Sequence, residues 1–256
     1  MNTNIIIANS NGNNFVLMKN VPQNLLTNDK IKNICKHYKT DGLIILDTLD
    51  TKKLSMNYYN NDGSWETLCV NGLLCAGKLL NSIYKKNNFE IQSANQCYKI
   101  YVKNNSIKIS MPKPEYKSRK IITNNFEGYY IDSGAKHFVI NQKTSWPNKD
   151  KIIEISRKIR YDQDLFPDGV NVNFYKIINH NTLEIKTYEK GIENLMESCA
   201  SGSFACAFHY HFNNKVKSLI NIINEGGNYL STFNEKYSNN AIISNSIIEY
   251  EDNIIL

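Results

Sequence analysis

Short runs in which apolar residues alternate with polar ones, or stand together between turn-forming residues, recur along the chain. They fall at residues 15–18, 43–46, 98–102, 107–111, 172–177, 183–188 and 219–223. A period of two is that of a half-buried strand, so these runs predict a chain rich in antiparallel sheet. Two longer segments carry the helical period instead. Over 70–86, Leu73, Ala76, Leu80 and Ile83 share one face, and over 200–212, Phe204, Ala207, Phe208 and His211 do the same. The pattern is that of an α+β protein dominated by sheet.

The two predicted helices open with related text. The first begins Cys69-Val70-Asn71-Gly72 and carries Cys75, and the second begins Cys199-Ala200-Ser201-Gly202 and carries Cys206. The leading cysteines lie 130 positions apart, about half of the 256 residues, which predicts an internal duplication into two similar lobes. A charged stretch with two prolines, 111–120, marks the boundary. The expected division is a lobe over 1–116 bearing Cys69, to which a final strand at about 248–256 returns, and a lobe over 117–247 bearing Cys199.

Cys75 and Cys206 fall inside the helices and read as small core residues. Cys69 and Cys199 stand where the helices start, where unpaired N–H groups and the positive end of the dipole lower a thiol pKa and favour thiolate. Two such helix tips facing each other would suit a small carboxylate and place one sulfur on each side of its α-carbon. One sulfur could then remove a proton while the other supplies one from the opposite face, which inverts a stereocentre. The charge that develops would be stabilised by the helix ends, in the manner of an oxyanion hole. No lysine motif or glycine loop suggests pyridoxal phosphate, so the expected chemistry is cofactor-independent. The cysteine spacings and scattered histidines are poor for a metal.

Composition narrows the partners. Lysine and arginine exceed aspartate and glutamate by 30 to 24, but the charges are scattered and no basic block would track nucleic acid. No apolar stretch approaches the length of a membrane span or a signal-peptide core, which leads to the expectation of a soluble, cytoplasmic protein. Six cysteines dispersed over a chain of this size suit free thiols. The expected partner is a small amino acid; a homodimer is left open.

Further blocks stand in order along nearly the whole chain: Ser10 to Val16 with Asn13-Asn14-Phe15, Asp41-Gly42-Leu43-Ile44, and Asn60-Asn61-Asp62-Gly63-Ser64 before Cys69. After them come Phe166-Pro167-Asp168-Gly169-Val170-Asn171-Val172-Asn173, Tyr188-Glu189-Lys190-Gly191, the Cys199 block, and Glu225-Gly226-Gly227. In this order they resemble the diaminopimelate epimerase family, amino-acid epimerases and racemases that use two cysteines and no pyridoxal phosphate. The resemblance implies two pseudo-symmetric lobes, each a curled, mostly antiparallel sheet around a central helix. It implies that Cys69 and Cys199 are the two bases, and that N–H groups of Val70, Asn71, Ala200 and Ser201, in turns that include Gly72, hold the reacting carboxylate. Asn13, Asn60, Asn171, Glu189 and Lys190 would hold the amino group and the far end of the substrate.

The implied reaction converts LL-diaminopimelate to the meso form, for lysine and cell-wall synthesis. Three departures fall on substrate recognition. Lys190 stands where the family has arginine, Ala135-Lys136-His137 where it has Asn-Pro-His, and the segment from Ile192 to Ser198 is one residue longer. Lysine cannot offer the bidentate fork of arginine to a carboxylate. Racemisation of another amino acid, such as histidine, ornithine or glutamate, is therefore the alternative. A non-catalytic amino-acid-binding protein is the reading from a different class, and two helix-tip thiols argue against it.

Overall fold

Strand-forming runs dominate the chain as the alternation predicts, and two helices lie in each half. The computed structural model describes residues 2–49, 53–214, 216 and 219–256. The chain divides into two units, Met1–Ser110 with Ile243–Leu256, and Met111–Ile242. The first holds β1 (Asn2–Ser10), β2 (Asn13–Lys19), α1 (Asn28–Tyr38), β3 (Gly42–Thr48), β4 (Lys53–Asn60), β5 (Trp65–Glu66) and α2 (Val70–Tyr84). β6 (Asn88–Ser93), β7 (Gln96–Lys103) and β8 (Ser106–Met111) follow.

The second holds β9 (Glu115–Tyr116), β10 (Ile121–Thr123), β11 (Phe126–Asp132), β12 (Lys136–Asn141), α3 (Lys149–Arg160), β13 (Asn171–Asn179), β14 (Thr182–Glu189), β15 (Asn194–Met196) and α4 (Ala200–Asn214). β16 (Leu219–Asn224) and β17 (Gly227–Thr232) follow, then β18 (Asn240–Ser244), which spans the boundary after Ile242, and β19 (Ile247–Ile255), which belongs to the first unit. β19 pairs with β1 in antiparallel register, from Asn2 opposite Ile255 to Asn9 opposite Ile247. Ser246 Oγ, just before it, donates to the carbonyl of Leu74 at 3.0 Å.

Both units are α+β, and one plan is written twice. In the first, β1 and β2 form a hairpin, α1 crosses to β3 parallel to β2, β3 and β4 are antiparallel, and α2 crosses to β6 parallel to β4. In the second, β11 and β12 are antiparallel, α3 crosses to β13 parallel to β12, β13 and β14 are antiparallel, and α4 crosses to β16 parallel to β14. The other strand pairings among the described residues of each unit are antiparallel, so each sheet is mostly antiparallel and curls around its central helix. α2 packs against β1 and β2 and also against β6 and β7, and α4 against β12, β13, β14, β16 and β17.

A helix enclosed in this way has no solvent face. Every residue of α4 from Ala200 to Tyr210 is buried, as is all but one residue of α2 from Val70 to Leu80. Cys75 and Cys206 are among them, in the core as expected. Ile83 is not: it is 43% exposed, because the last turn of α2 emerges from the sheet that covers Leu73, Ala76 and Leu80. The helices α1 and α3 add a second layer on the opposite faces and were not anticipated. Each is capped, by Thr27 accepting from the Lys30 N–H at 3.3 Å and by Asn148 accepting from the Lys151 N–H at 2.9 Å. Each buries a narrow stripe, Ile31 and Cys35 in one and Ile152, Ile155 and Ile159 in the other.

The contrast within α2 is measurable. Leu80→Ala is expected to cost about 3 kcal/mol of folding stability, and Ile83→Ala about 0.5 kcal/mol or less, in urea denaturation followed by circular dichroism.

Candidate active site

Cys69 is the N-cap of α2. Its extended backbone turns the side chain back over the helix, where Sγ accepts from the Gly72 N–H at 3.3 Å, and its carbonyl accepts the first helical bond, from Leu73 at 3.0 Å. Sulfur thus occupies the place that serine or aspartate oxygen takes in an ordinary cap. Val70, Asn71 and Gly72 form the first turn and are buried. The strand ends beside this turn carry the other expected residues of the first unit. Asn71 Nδ2 donates to Asn13 Oδ1, at the start of β2. Asn13 lies within 3.5 Å of Asp41 Oδ2, which also accepts from the Asn14 N–H at 2.9 Å. Asn60, at the end of β4, accepts from the Tyr58 hydroxyl at 2.9 Å and donates to Ser64 Oγ at 3.0 Å. Asn13, Asn60 and Asn71 are therefore buried polar side chains with partners, and their amides are fixed in orientation.

In the second unit Cys199 precedes α4 in the same way, and its carbonyl accepts from the Ser203 N–H at 2.8 Å. Its sulfur lies 3.5 Å from Ser201 Oγ. A buried chain of hydrogen bonds leads away from this contact. Ser201 Oγ is 3.2 Å from His137 Nε2, His137 Nδ1 is 3.0 Å from Asn173 Nδ2, and Asn173 Oδ1 accepts from the Thr187 hydroxyl at 2.9 Å. Ser133 Oγ donates to the Ser201 carbonyl at 3.0 Å. Because Asn173 donates to Nδ1, that nitrogen is the acceptor of a neutral imidazole, and Nε2–H points at Ser201. Close approach of α4 to β13 makes this possible: a Cβ on Gly202 would stand 2.1 Å from Asn173 Oδ1.

Burial decides the protonation states. It pushes His137 down to about 3, so the ring is neutral at every physiological pH. It pushes the Cys199 thiol up to about 12, and the negative charge of Glu189 acts in the same direction. The Ser201 hydroxyl and the N–H groups of Gly202 and Ser201 favour the thiolate but are outweighed. The helix-start N–H groups thus act on Cys199 in the expected direction, but burial, which the sequence does not show, sets the net shift. Partial charges at a helix end are worth a fraction of what complete desolvation of a thiolate costs. At neutral pH Cys199 is a thiol.

Asn171, at the start of β13, accepts from the Lys190 N–H at 2.8 Å and donates to the Lys136 carbonyl at 3.1 Å. Its amide therefore joins two strand ends. Glu189 closes β14, Lys190 follows it, and Ala200 and Ser201 open α4. The sequence reading missed His137, Asn173 and Thr187. The one available signal was that Asn173 lies two positions from Asn171 in a strand and so shares its face. Among the described residues no group of three or more histidine, cysteine, aspartate or glutamate side chains could hold a metal ion.

No family model matches the chain. Among curated proteins it is 28% identical to a diaminopimelate epimerase of Chlorobaculum tepidum over 237 residues, 88% of this chain and 90% of that one. It is 27% identical to a diaminopimelate epimerase of Aquifex aeolicus over 215 residues, 79% and 76% of the two chains. The chain is a relative of the diaminopimelate epimerases. Among solved structures, a hydroxyproline epimerase of Agrobacterium vitis, with trans-4-hydroxy-L-proline bound, superposes with a TM-score of 0.77 over 99% of this chain and 91% of that one. That pair shares 12% identity, so it bears on the fold, which is the one the motifs implied. The chain is an isomerase of the amino-acid epimerase and racemase type. No helix among the described residues is long and apolar enough to cross a membrane.

Neutral, buried His137 makes stability depend on pH. In the unfolded chain its imidazole returns to the ordinary value of 6.5, so below that pH the unfolded state binds a proton that the folded state refuses. Stability is therefore full above pH 6.5 and falls as the pH drops towards 3, by up to about 1.4 kcal/mol per pH unit. Melting temperatures between pH 8 and 4.5 should fall steeply for the native chain and less steeply for His137→Asn.

Proposed function

We propose that the chain epimerises LL-diaminopimelate to the meso form, without a cofactor, by proton transfer between Cys69 and Cys199. The observation that carries this reading is the matched placement of the two cysteines. Each begins the buried central helix of its unit, with backbone N–H groups directed at or beside its sulfur. Those N–H groups are a ready anion site for an α-carboxylate, and negative charge developing there as the α-proton leaves is met by dipoles already oriented.

Burial favours the thiol form of Cys199, which supports a role for it as the proton donor, with Cys69 as the acceptor. The Cα–H bond breaks as Cys69 takes its proton, the electron pair is held by the carboxylate, and Cys199 delivers its proton to the other face. The thiol and thiolate have then exchanged places, and the reverse reaction restores them. Neutral His137, through Ser201, keeps a hydrogen-bond donor near the Cys199 sulfur without adding a charge. Names of the curated relatives support diaminopimelate as substrate and, with it, a place in lysine synthesis.

A second reading has one specific observation in its favour. Lys190 stands where an arginine would fork onto a distal carboxylate, and Ala135 stands where an asparagine amide would face it. On that reading the chain racemises another amino acid, such as histidine, ornithine or glutamate.

Proton exchange distinguishes the two readings. In deuterated water, inversion of LL-diaminopimelate should place α-deuterium in the product with a kcat/KM at least about tenfold above that of any other amino acid in a panel containing those three, and a reversed order would favour the second reading. Cys69→Ser and Cys199→Ser should each lower full inversion by about 10³-fold or more. Each should still promote elimination from analogues with a leaving group next to the α-carbon, and the two variants should prefer opposite configurations.

A further inference from the structure

An ion pair away from the cysteines ties three segments of the second unit together. Arg160 ends α3, its side chain is only 13% exposed, and Nη2 lies 3.1 Å from Glu193 Oε1. The guanidinium fills the space in front of Gly169, where a Cβ would stand 1.5 Å from Nη1, and so lies against the loop that leads into β13. Glu193 has a left-handed backbone, φ +57°, and both its oxygens are engaged. Oε1 also accepts from the Gly191 N–H at 3.1 Å, and Oε2 accepts from the Tyr188 hydroxyl at 3.1 Å. That hydroxyl accepts in turn from Arg157 Nε at 3.2 Å.

The turn after β14 is thus gripped at successive peptides, Lys190 N–H by Asn171 and Gly191 N–H by Glu193. Burial works to raise the Glu193 carboxyl, but the Gly191 N–H, the tyrosine hydroxyls and the Arg160 charge outweigh it, so the carboxylate is held ionised. Glu193 lies in the stretch from Ile192 to Ser198 where this chain departs from the family's text.

We propose that the Arg160–Glu193 pair is a positioning device that fixes the Glu189–Lys190–Gly191 turn and, through it, the site's acceptance of the substrate's far end. The inference rests on the function proposed above and on Glu189 and Lys190 facing the substrate, as the family resemblance implies. Arg160 and Glu193 are positioning residues that act through the backbone of the turn. Their loss loosens the grip on the far end and leaves the proton-transfer step in place.

The test uses Arg160→Met and the milder Glu193→Gln, which keeps a hydrogen-bonding side chain should the first variant fail to fold. Amide exchange read by mass spectrometry should quicken about tenfold in a peptide covering 189–193, with peptides from β13 and α4 unchanged. KM for LL-diaminopimelate should rise about tenfold with kcat within about twofold of the native chain. Exchange of the α-proton of L-2-aminohexanoate, which has no polar far end, should keep its kcat/KM. Unchanged amide exchange in both variants overturns the proposal, and so does an equal loss of kcat/KM on both amino acids. A native chain that exchanges neither amino acid refutes the proposed function instead, and the amide exchange of the turn then still decides whether the pair fixes it.

Discussion

A helix walled in by its own sheet can offer chemistry only at an end, and both units of this chain are organised around that constraint. α2 and α4 bury nearly their whole circumference, so the cost of enclosing them is met by apolar contact along their length, with Leu73, Leu74, Leu79 and Leu80 in one and Phe204 and Phe208 in the other. Their first N–H groups have no partner within the helix. In both units a cysteine sulfur serves as such a partner, for the Gly72 N–H in the first and for the Ser201 and Gly202 N–H groups in the second. Rigid packing fixes the helix, the helix fixes the direction of its first N–H groups, and those groups fix where negative charge is welcome. Amino-acid epimerisation needs that last property, because an α-carbanion has to be stabilised while the proton is away.

The polar residues around each helix start answer a second requirement, that nothing buried be left unpaired. Asn71 reaches Asn13, and Ser201 reaches His137, so in each unit the side chain two residues after the cysteine is tied to the second strand of the leading hairpin. The pairing is neutral in both cases. Net charge near the second cysteine comes from Glu189, and with burial it keeps the thiol protonated. A helix dipole alone would have favoured the thiolate; the environment around it reverses the sign.

What could be read from the sequence follows from which interactions are local. Strand runs and the two central helices stand out because their patterns span four or more residues, and the Cys-x-[Asn/Ser]-Gly openings mark both helix starts. α1 and α3 are hidden because stripes such as Ile31 and Cys35 are narrow and are set among lysines and asparagines that resemble a solvated loop. Around the site, Cys69, Asn71 and Asn13 lie in recognisable blocks. The chain from Ser201 to Thr187 depends on β12 lying parallel to β13, with His137 opposite Asn171, a long-range register that no local pattern carries. Ile83 was misjudged, and the net pKa shift of Cys199 was not legible, for a related reason: burial is a property of what packs around a residue, and neither the helical period nor the helix end determines it.

The central claim is that one thiol removes the α-proton and a second, on the other face, returns a different one. Isotope capture early in the reaction tests it most directly. Pure LL-diaminopimelate is incubated in deuterated water and both pools are analysed by mass spectrometry before about a tenth has been converted. Two separate acid–base groups require product carrying one deuterium at the inverted carbon while the remaining substrate stays protiated. Deuterium entering the unconverted substrate as fast as the product, or product that retains its original hydrogen, would mean a single shared base and would contradict the account.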